Sequence, residues 1–211
     1  MKRMIFIIMI LLIIIKANLN AQPPSLWETF TMGEGLASNR VNVIYEANDF
    51  SLWFGTDDGG VSWYHDGIWT PFTSQDGLSN NSIQSIYEAS NGALWFGTNG
   101  AGLSQKHNEM WTTITQSDST LIDNTINTIC EASDGALWFG TSQGVSRFQK
   151  EIWTSFTKDS TLADNNVHSI VEASDGALWF GTRGGVTRCQ DGTWQTFTTA
   201  DGLISNLINA I

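Results

Sequence analysis

The chain has 211 residues, with 10 Lys and Arg against 21 Asp and Glu and a net charge of −11. That balance argues against nucleic acid and anionic lipid as partners, and the length suits one domain of moderate size. Two cysteines, Cys130 and Cys189, at unmatched places make neither a disulfide framework nor a metal site. At the N-terminus Lys2 and Arg3 precede an apolar run from Met4 to Ile15, followed by Lys16 and Asn20-Ala21-Gln22. Such a run is shorter than the ~20 residues needed to span a bilayer. Residues 1–21 therefore read as a secretory signal peptide cleaved after Ala21, and no Cys lies near the cut to carry a lipid. Cleavage removes Lys2, Arg3 and Lys16 but no acid, so seven basic residues face 21 acidic ones and the mature charge becomes −14.

From there the chain repeats, with units starting near 27, 69, 111, 153 and 194 within a domain over 22–211. Each unit opens with Trp27 to Thr31 or its copies Trp69 to Thr73, Trp111 to Thr115, Trp153 to Thr157 and Trp194 to Thr198. Trp and Phe stand three apart there, on opposite faces of a strand. A polar loop follows and ends in an Asn: Asn39, Asn81, Asn124, Asn165 and Asn206. Two residues later begins a second strand, Val41 to Glu46, with copies Ile83 to Glu88, Ile126 to Glu131 and Val167 to Glu172. Asn91-Gly92, Asp134-Gly135 and Asp175-Gly176 then supply dipeptides that favour tight hairpins. They lead into Leu52-Trp53-Phe54-Gly55-Thr56, which recurs unchanged at 94–98, 137–141 and 178–182. Three consecutive apolar residues put apolar side chains on both faces, so this strand is expected to be buried twice. A Gly-rich turn leads to the last strand, Gly60-Val61-Ser62-Trp63 and its relatives at 102, 144 and 185.

A period of 41 to 43 residues marks a repeat architecture. Doubly buried strands, a radial stack of sheets and the lack of any 3.6-residue periodicity point to an all-β fold, a β-propeller of four-stranded blades. Leu36, Leu78, Leu121 and Leu162 each stand 16 residues before the Leu of the pentapeptide, while single-residue slips fall in loops and turns, as stacked blades tolerate.

The run Asn81-x-Ile83-x-x-Ile86-x-Glu88-Ala-x-Asn91-Gly92-x-Leu94-Trp95-Phe96-Gly97-Thr98, followed by Gly102-Leu103-Ser104, resembles the two-component regulator propeller repeat. The resemblance covers about residues 27 to 211. It departs from WD-type repeats, which want Gly-His and Trp-Asp pairs, and from Asp-box repeats, because Asp66-Gly67 and Asp191-Gly192 lack the intervening residue. In that family the repeats build the periplasmic ligand-binding sensor of hybrid histidine kinases, best known from Bacteroidetes-type bacteria, where many respond to glycan fragments. The resemblance implies blades at about 41–73, 83–115, 126–157 and 167–198, with the Val41-type strand innermost and the Trp-x-x-Phe strand outermost. Trp27 to Thr31 would then be a lone outer strand and Ile208 to Ile211 an inner strand cut short. The expectation is about four blades plus partial ends, an incomplete ring and the N-terminal fragment of a longer protein, in which an immunoglobulin-like domain, a membrane helix and a kinase would follow. A self-contained four-bladed ring is the competing architecture.

No cofactor or catalytic residue is expected: there is no Gly-x-Ser-x-Gly, phosphate loop or dinucleotide fingerprint. His65, His107 and His168 occupy three different repeat positions, so spacing implies no metal cluster. Glu46, Glu88, Glu131 and Glu172 form one column that could ring the axis as a cation site, but each precedes a hairpin whose backbone N–H groups a carboxylate can accept. The Trp columns could stack sugars but read better as packing. A polar column, Asn42, Gln84, Asn127, His168 and Asn209, stands just inside the innermost strand and should ring the axis at its mouth beside Asn39, Asn81, Asn124 and Asn165. These residues are the candidate ligand contacts. The expected partner is a small molecule or oligosaccharide bound after export to the periplasm or outside the cell, with membrane association left to regions beyond this chain and a homodimer compatible. A secreted binding module, or a fragment of a propeller enzyme such as a lyase, is the alternative. The absence of any insertion longer than one residue favours the sensor.

Overall fold

The computed structural model describes residues 28–117 and 121–211, so the signal peptide and Trp27 lie outside the described residues. Two compact units divide at Phe30, and everything below concerns the second, Thr31–Ile211. Sixteen strands form four four-stranded antiparallel sheets. The first sheet contains β1 (Val41–Glu46), β2 (Leu52–Thr56), β3 (Val61–His65) and β4 (Ile68–Phe72). The second contains β5 (Ile83–Glu88), β6 (Leu94–Thr98), β7 (Leu103–His107) and β8 (Met110–Ile114). The third contains β9 (Ile126–Glu131), β10 (Leu137–Thr141), β11 (Val145–Gln149) and β12 (Ile152–Phe156). The fourth contains β13 (Val167–Glu172), β14 (Leu178–Thr182), β15 (Gly185–Gln190) and β16 (Thr193–Phe197). Within each sheet the strands follow sequence order, which is the four-bladed arrangement the repeats predict.

Successive sheets meet closest at their inner strands, β1 on β5, β5 on β9 and β9 on β13, and also where each inner strand meets the second strand of the sheet before it. Gly55, Gly97 and Gly140 make that approach feasible. A Cβ on Gly97 would stand 2.8 Å from Ile126 Cγ2, and one on Gly140 2.9 Å from Val167 Cγ1. The pentapeptide strands carry the cores between sheets. Trp53, Trp95 and Trp138 face forward, and Phe96, Phe139 and Phe180 are the rings they meet on the next sheet, at 5.4–5.5 Å. The double burial expected of this strand holds where a sheet has neighbours on both sides. It fails on the rear face of the first, where Phe54 is half-buried although Phe96, Phe139 and Phe180 are fully buried, and Ile44, its partner on β1, is 62% exposed.

The outer strands are half-buried rather than buried, because the sheets splay apart there. Trp69 packs back on Phe54 and Tyr64 while Phe72 packs forward on Trp53, so the two rings do take opposite faces. Residues Ile208–Ile211 form no strand. Even so, Ile208 and Ile211 lie against Gly181 as Val167 and Ile170 lie against Gly140.

The tight hairpins expected at Asn91-Gly92 and its copies form as three-residue loops. Ala89 N–H bonds Ala93 O and Gly92 N–H bonds Ala89 O, a three-residue loop with Gly92 at φ 80°. In the first sheet Phe50 takes that left-handed place at φ 64°, a strained position for a bulky side chain. The two-residue turns with both φ values positive lie instead between third and fourth strands, at Asp66-Gly67, Asn108-Glu109, Lys150-Glu151 and Asp191-Gly192.

One buried hydrogen bond differs between sheets. Trp53 Nε1 donates to Ser51 Oγ at 3.2 Å, whereas Trp95 and Trp138 have Ala93 and Ala136 at that place and their buried indole N–H groups have no partner. Ala136→Ser is therefore expected to stabilise the protein by about 1 kcal/mol. Calorimetry should show a rise of a few degrees in Tm.

Candidate ligand-binding site

Each inner strand starts at the end of the sheets that carries the outer-to-inner loops, and those loops are built from the recurring polar residues. Asn39, Asn81, Asn124 and Asn165 accept through Oδ1 from Met32, Ser74, Gln116 and Lys158 N–H at 2.6–2.8 Å. Asn206 accepts from Thr199 N–H in the same way. The buried hydroxyls of Ser62, Ser104, Ser146 and Thr187 accept from loop N–H groups 24 or 25 residues away in the chain, at 2.7–2.9 Å. The recurring Thr of each pentapeptide donates to a Gly carbonyl across the Gly-rich turn, as Thr98 Oγ1 does to Gly102 O at 2.7 Å.

The mouth column divides into two kinds. Asn42 Nδ2 donates to Ile83 O at 3.0 Å and Asn127 Nδ2 to Val167 O at 2.8 Å, each stitching its sheet to the next. Gln84 Nε2 instead makes a long contact of 3.4 Å to Ser82 Oγ, and His168 Nε2 is buried without a partner. Asn209 lies exposed in the final segment.

The Glu column serves the opposite, hairpin end. Glu88 Oε2 accepts from Asn48 N–H, Glu131 takes both Ser90 N–H and Ser90 Oγ–H, and Glu172 takes both from Ser133, all at 2.6–2.8 Å. The carboxylates thus cap hairpins, as the column's position suggests, but the hairpin belongs to the preceding sheet. Among the described residues no three His, Cys, Asp or Glu side chains gather as a metal site.

Two clefts open at that hairpin end between the splayed outer strands. Sequence reasoning missed them because it read the recurring Trp residues as packing, and whether space remains beside them depends on variable third-strand residues such as Arg147 and Cys189. Between the third and fourth sheets lies a cavity of about 580 Å³ that includes Trp138, Arg147, Cys189 and Trp194 in its lining. Arg147 lies 5.5 Å over the Trp138 ring, donates to Asp134 Oδ2 at 3.2 Å and bonds Gln149 Oε1. Burial raises the Asp134 carboxyl, but the Ala136 N–H, the Arg147 guanidinium and Gln149 outweigh it, so its pKa falls below the usual carboxylate value. Burial pushes the Cys189 thiol up, so it stays protonated at neutral pH.

Residues 77–100, 120–143 and 161–184 match the sequence profile described as two component regulator propeller. Those three segments are similar to regulator propeller repeats. The three matches begin in the outer-to-inner loop and end in the Gly-rich turn, so they contain the inner and pentapeptide strands of the second, third and fourth sheets. No curated protein sequence matches the chain. In structure the repeats are similar to the extracellular domain of a hybrid two component system of B. thetaiotaomicron, at 24% identity and TM-score 0.69, covering 77% of this chain and 23% of that one. A second such domain from B. thetaiotaomicron gives 22% identity and TM-score 0.64, with 78% and 25% covered. Virginiamycin B lyase from Staphylococcus aureus gives 22% identity and TM-score 0.58, with 74% and 55% covered. The chain thus spans about a quarter of the length of the two extracellular domains, and at these identities the likeness is one of fold. No helix among the described residues is long and apolar enough to cross a membrane.

Proposed function

We propose that this chain is part of a periplasmic or extracellular sensor propeller of a two-component system, that it binds a glycan fragment at the loop-end mouth, and that it performs no catalysis. The observation that carries the reading is the division of labour among polar residues. Those that recur at fixed places, Asn81, Ser104, Thr98 and Glu131 among them, are consumed by loops and hairpins. Those that vary at the mouth, Gln84 and His168, do not stitch sheet to sheet as Asn42 and Asn127 do. A buried imidazole nitrogen without a partner is a costly group to retain, and a ligand hydroxyl would satisfy it. Match to the regulator propeller repeat supports the sensor class, and the extracellular setting of the two B. thetaiotaomicron domains supports export. Signalling output is a property of the whole protein and would lie with other domains.

The test is a glycan screen by calorimetry on the wild-type chain and the Gln84→Ala/His168→Ala double variant. The double variant should keep its Tm within a few degrees, what ~1 kcal/mol allows, while affinity for the screened glycan falls about tenfold or more. Unchanged affinity, or loss of the fold instead of binding, would assign the column a purely structural role.

A further inference from the structure

One residue column decides whether neighbouring sheets touch at their outer halves. It lies next to the buried hydroxyl on each third strand and reads Trp63, Gln105, Arg147 and Arg188. Between the first and second sheets the Trp63 ring packs into the core and fills the space. Between the second and third, Gln105 leaves a cavity of about 380 Å³, narrowed by Phe148, whose ring stands 4.8 Å from Trp153 and 6.4 Å from Trp95. Between the third and fourth, Cys189 occupies the place of Phe148, and the cavity widens to about 580 Å³, within the range of small-molecule sites.

We propose that this cleft binds a saccharide free of acidic groups, of about disaccharide size. The site is distinct from the mouth, lies at the other end of the sheets and does not rest on the reading given there. Trp194 and Phe156 supply the apolar walls, Arg147 lies over the Trp138 ring between them, and Arg147, Asp134 and Asp191 set hydrogen-bonding atoms around them, while Ser133 and Glu172 spend theirs on each other. A pyranose has that pattern, with apolar C–H faces for the rings and equatorial hydroxyls for the rim. An apolar ligand would strip water from the Arg147 and Asp134 groups and return no hydrogen bond. An acidic one would be repelled: Asp134 offsets the single cation, Glu172 and Asp191 leave the lining net negative, and the neutral thiol of Cys189 adds nothing. Arg147 is already held in place, stacked on Trp138 and bonded to Asp134, so binding costs little side-chain entropy.

The experiment follows the Trp indole N–H resonances of the whole chain while cellobiose, maltose or digalacturonic acid is added. At least one uncharged disaccharide should shift the Trp138 and Trp194 signals saturably, and digalacturonic acid should not. Cys189→Phe places in the cleft the residue that the third sheet carries at this position, so the fold is expected to survive, and sugar affinity should fall about tenfold or more. Arg147→Gln, which copies the second sheet, should weaken binding with Tm nearly unchanged and serves if the Phe variant misfolds. Wild-type affinity in both cleft variants, equal binding of the diacid, or no saturable shift of the Trp138 and Trp194 signals with either uncharged sugar overturns the proposal.

Discussion

Phe139→Ala is expected to destabilise the protein by about 3–5 kcal/mol, the cost of emptying a buried aromatic site. Phe139 is fully buried between the second and third sheets, 5.4 Å from Trp95 and 5.5 Å from Trp153. Adjacent β-branched and aromatic side chains cannot collapse into the hole, because the glycines that bring the sheets together already hold the backbones at their closest approach. The same change at Phe54, which occupies the same repeat position on the half-exposed rear face of the first sheet, should cost well under half as much. Parallel urea melts of the two variants test this, and equal losses would mean that the rear face of the first sheet is covered in solution.

A second large effect is expected at the Gly-rich turns. Gly102 has φ 81°, and a Cβ there would stand 2.2 Å from the carbonyl oxygen of Ile114, a backbone atom held in the sheet. Gly102 N–H also donates to Asn124 O at 2.8 Å, so the residue ties the turn to the next loop. Gly100, two residues earlier, has φ 88° but open space around it. Ala at Gly100 should therefore cost only the left-handed strain, about 1–2 kcal/mol. Ala at Gly102 adds a clash that has to move backbone, bringing the total to about 3 kcal/mol or more. The two substitutions are chemically identical, so the difference in their thermal midpoints isolates the steric contribution. A Gly102→Ala variant as stable as Gly100→Ala would show that the turn can shift away from β8.

Much of this architecture is legible in the residues themselves. The inner strands Val41–Glu46, Ile83–Glu88, Ile126–Glu131 and Val167–Glu172 and the four pentapeptide strands are readable because a period of about 42 residues repeats every local signal four times. Turn chemistry was less legible. Asn91-Gly92 signals a tight hairpin without fixing its length, and the pairing of Ala89 with Ala93 sets a three-residue loop, because strand pairing rather than the dipeptide sets the register.

The sequence by itself determined the all-β class, the four strands of each repeat and the hairpin role of the Glu column, since these rest on local patterning, while the order within each sheet came from the family resemblance. Only the tertiary structure decided whom the polar residues serve. Glu131 reaches Ser90 and Asn127 reaches Val167 across about 40 residues of chain, contacts that exist only once one sheet is laid on another. Tertiary packing likewise decided where space remains. The change from Phe148 to Cys189 is a single difference in the repeat, and its consequence appears only when a facing sheet fails to fill the volume. Contacts between sheets and the gaps between them depend on side chains from two repeats at once, and no pattern within one repeat encodes them.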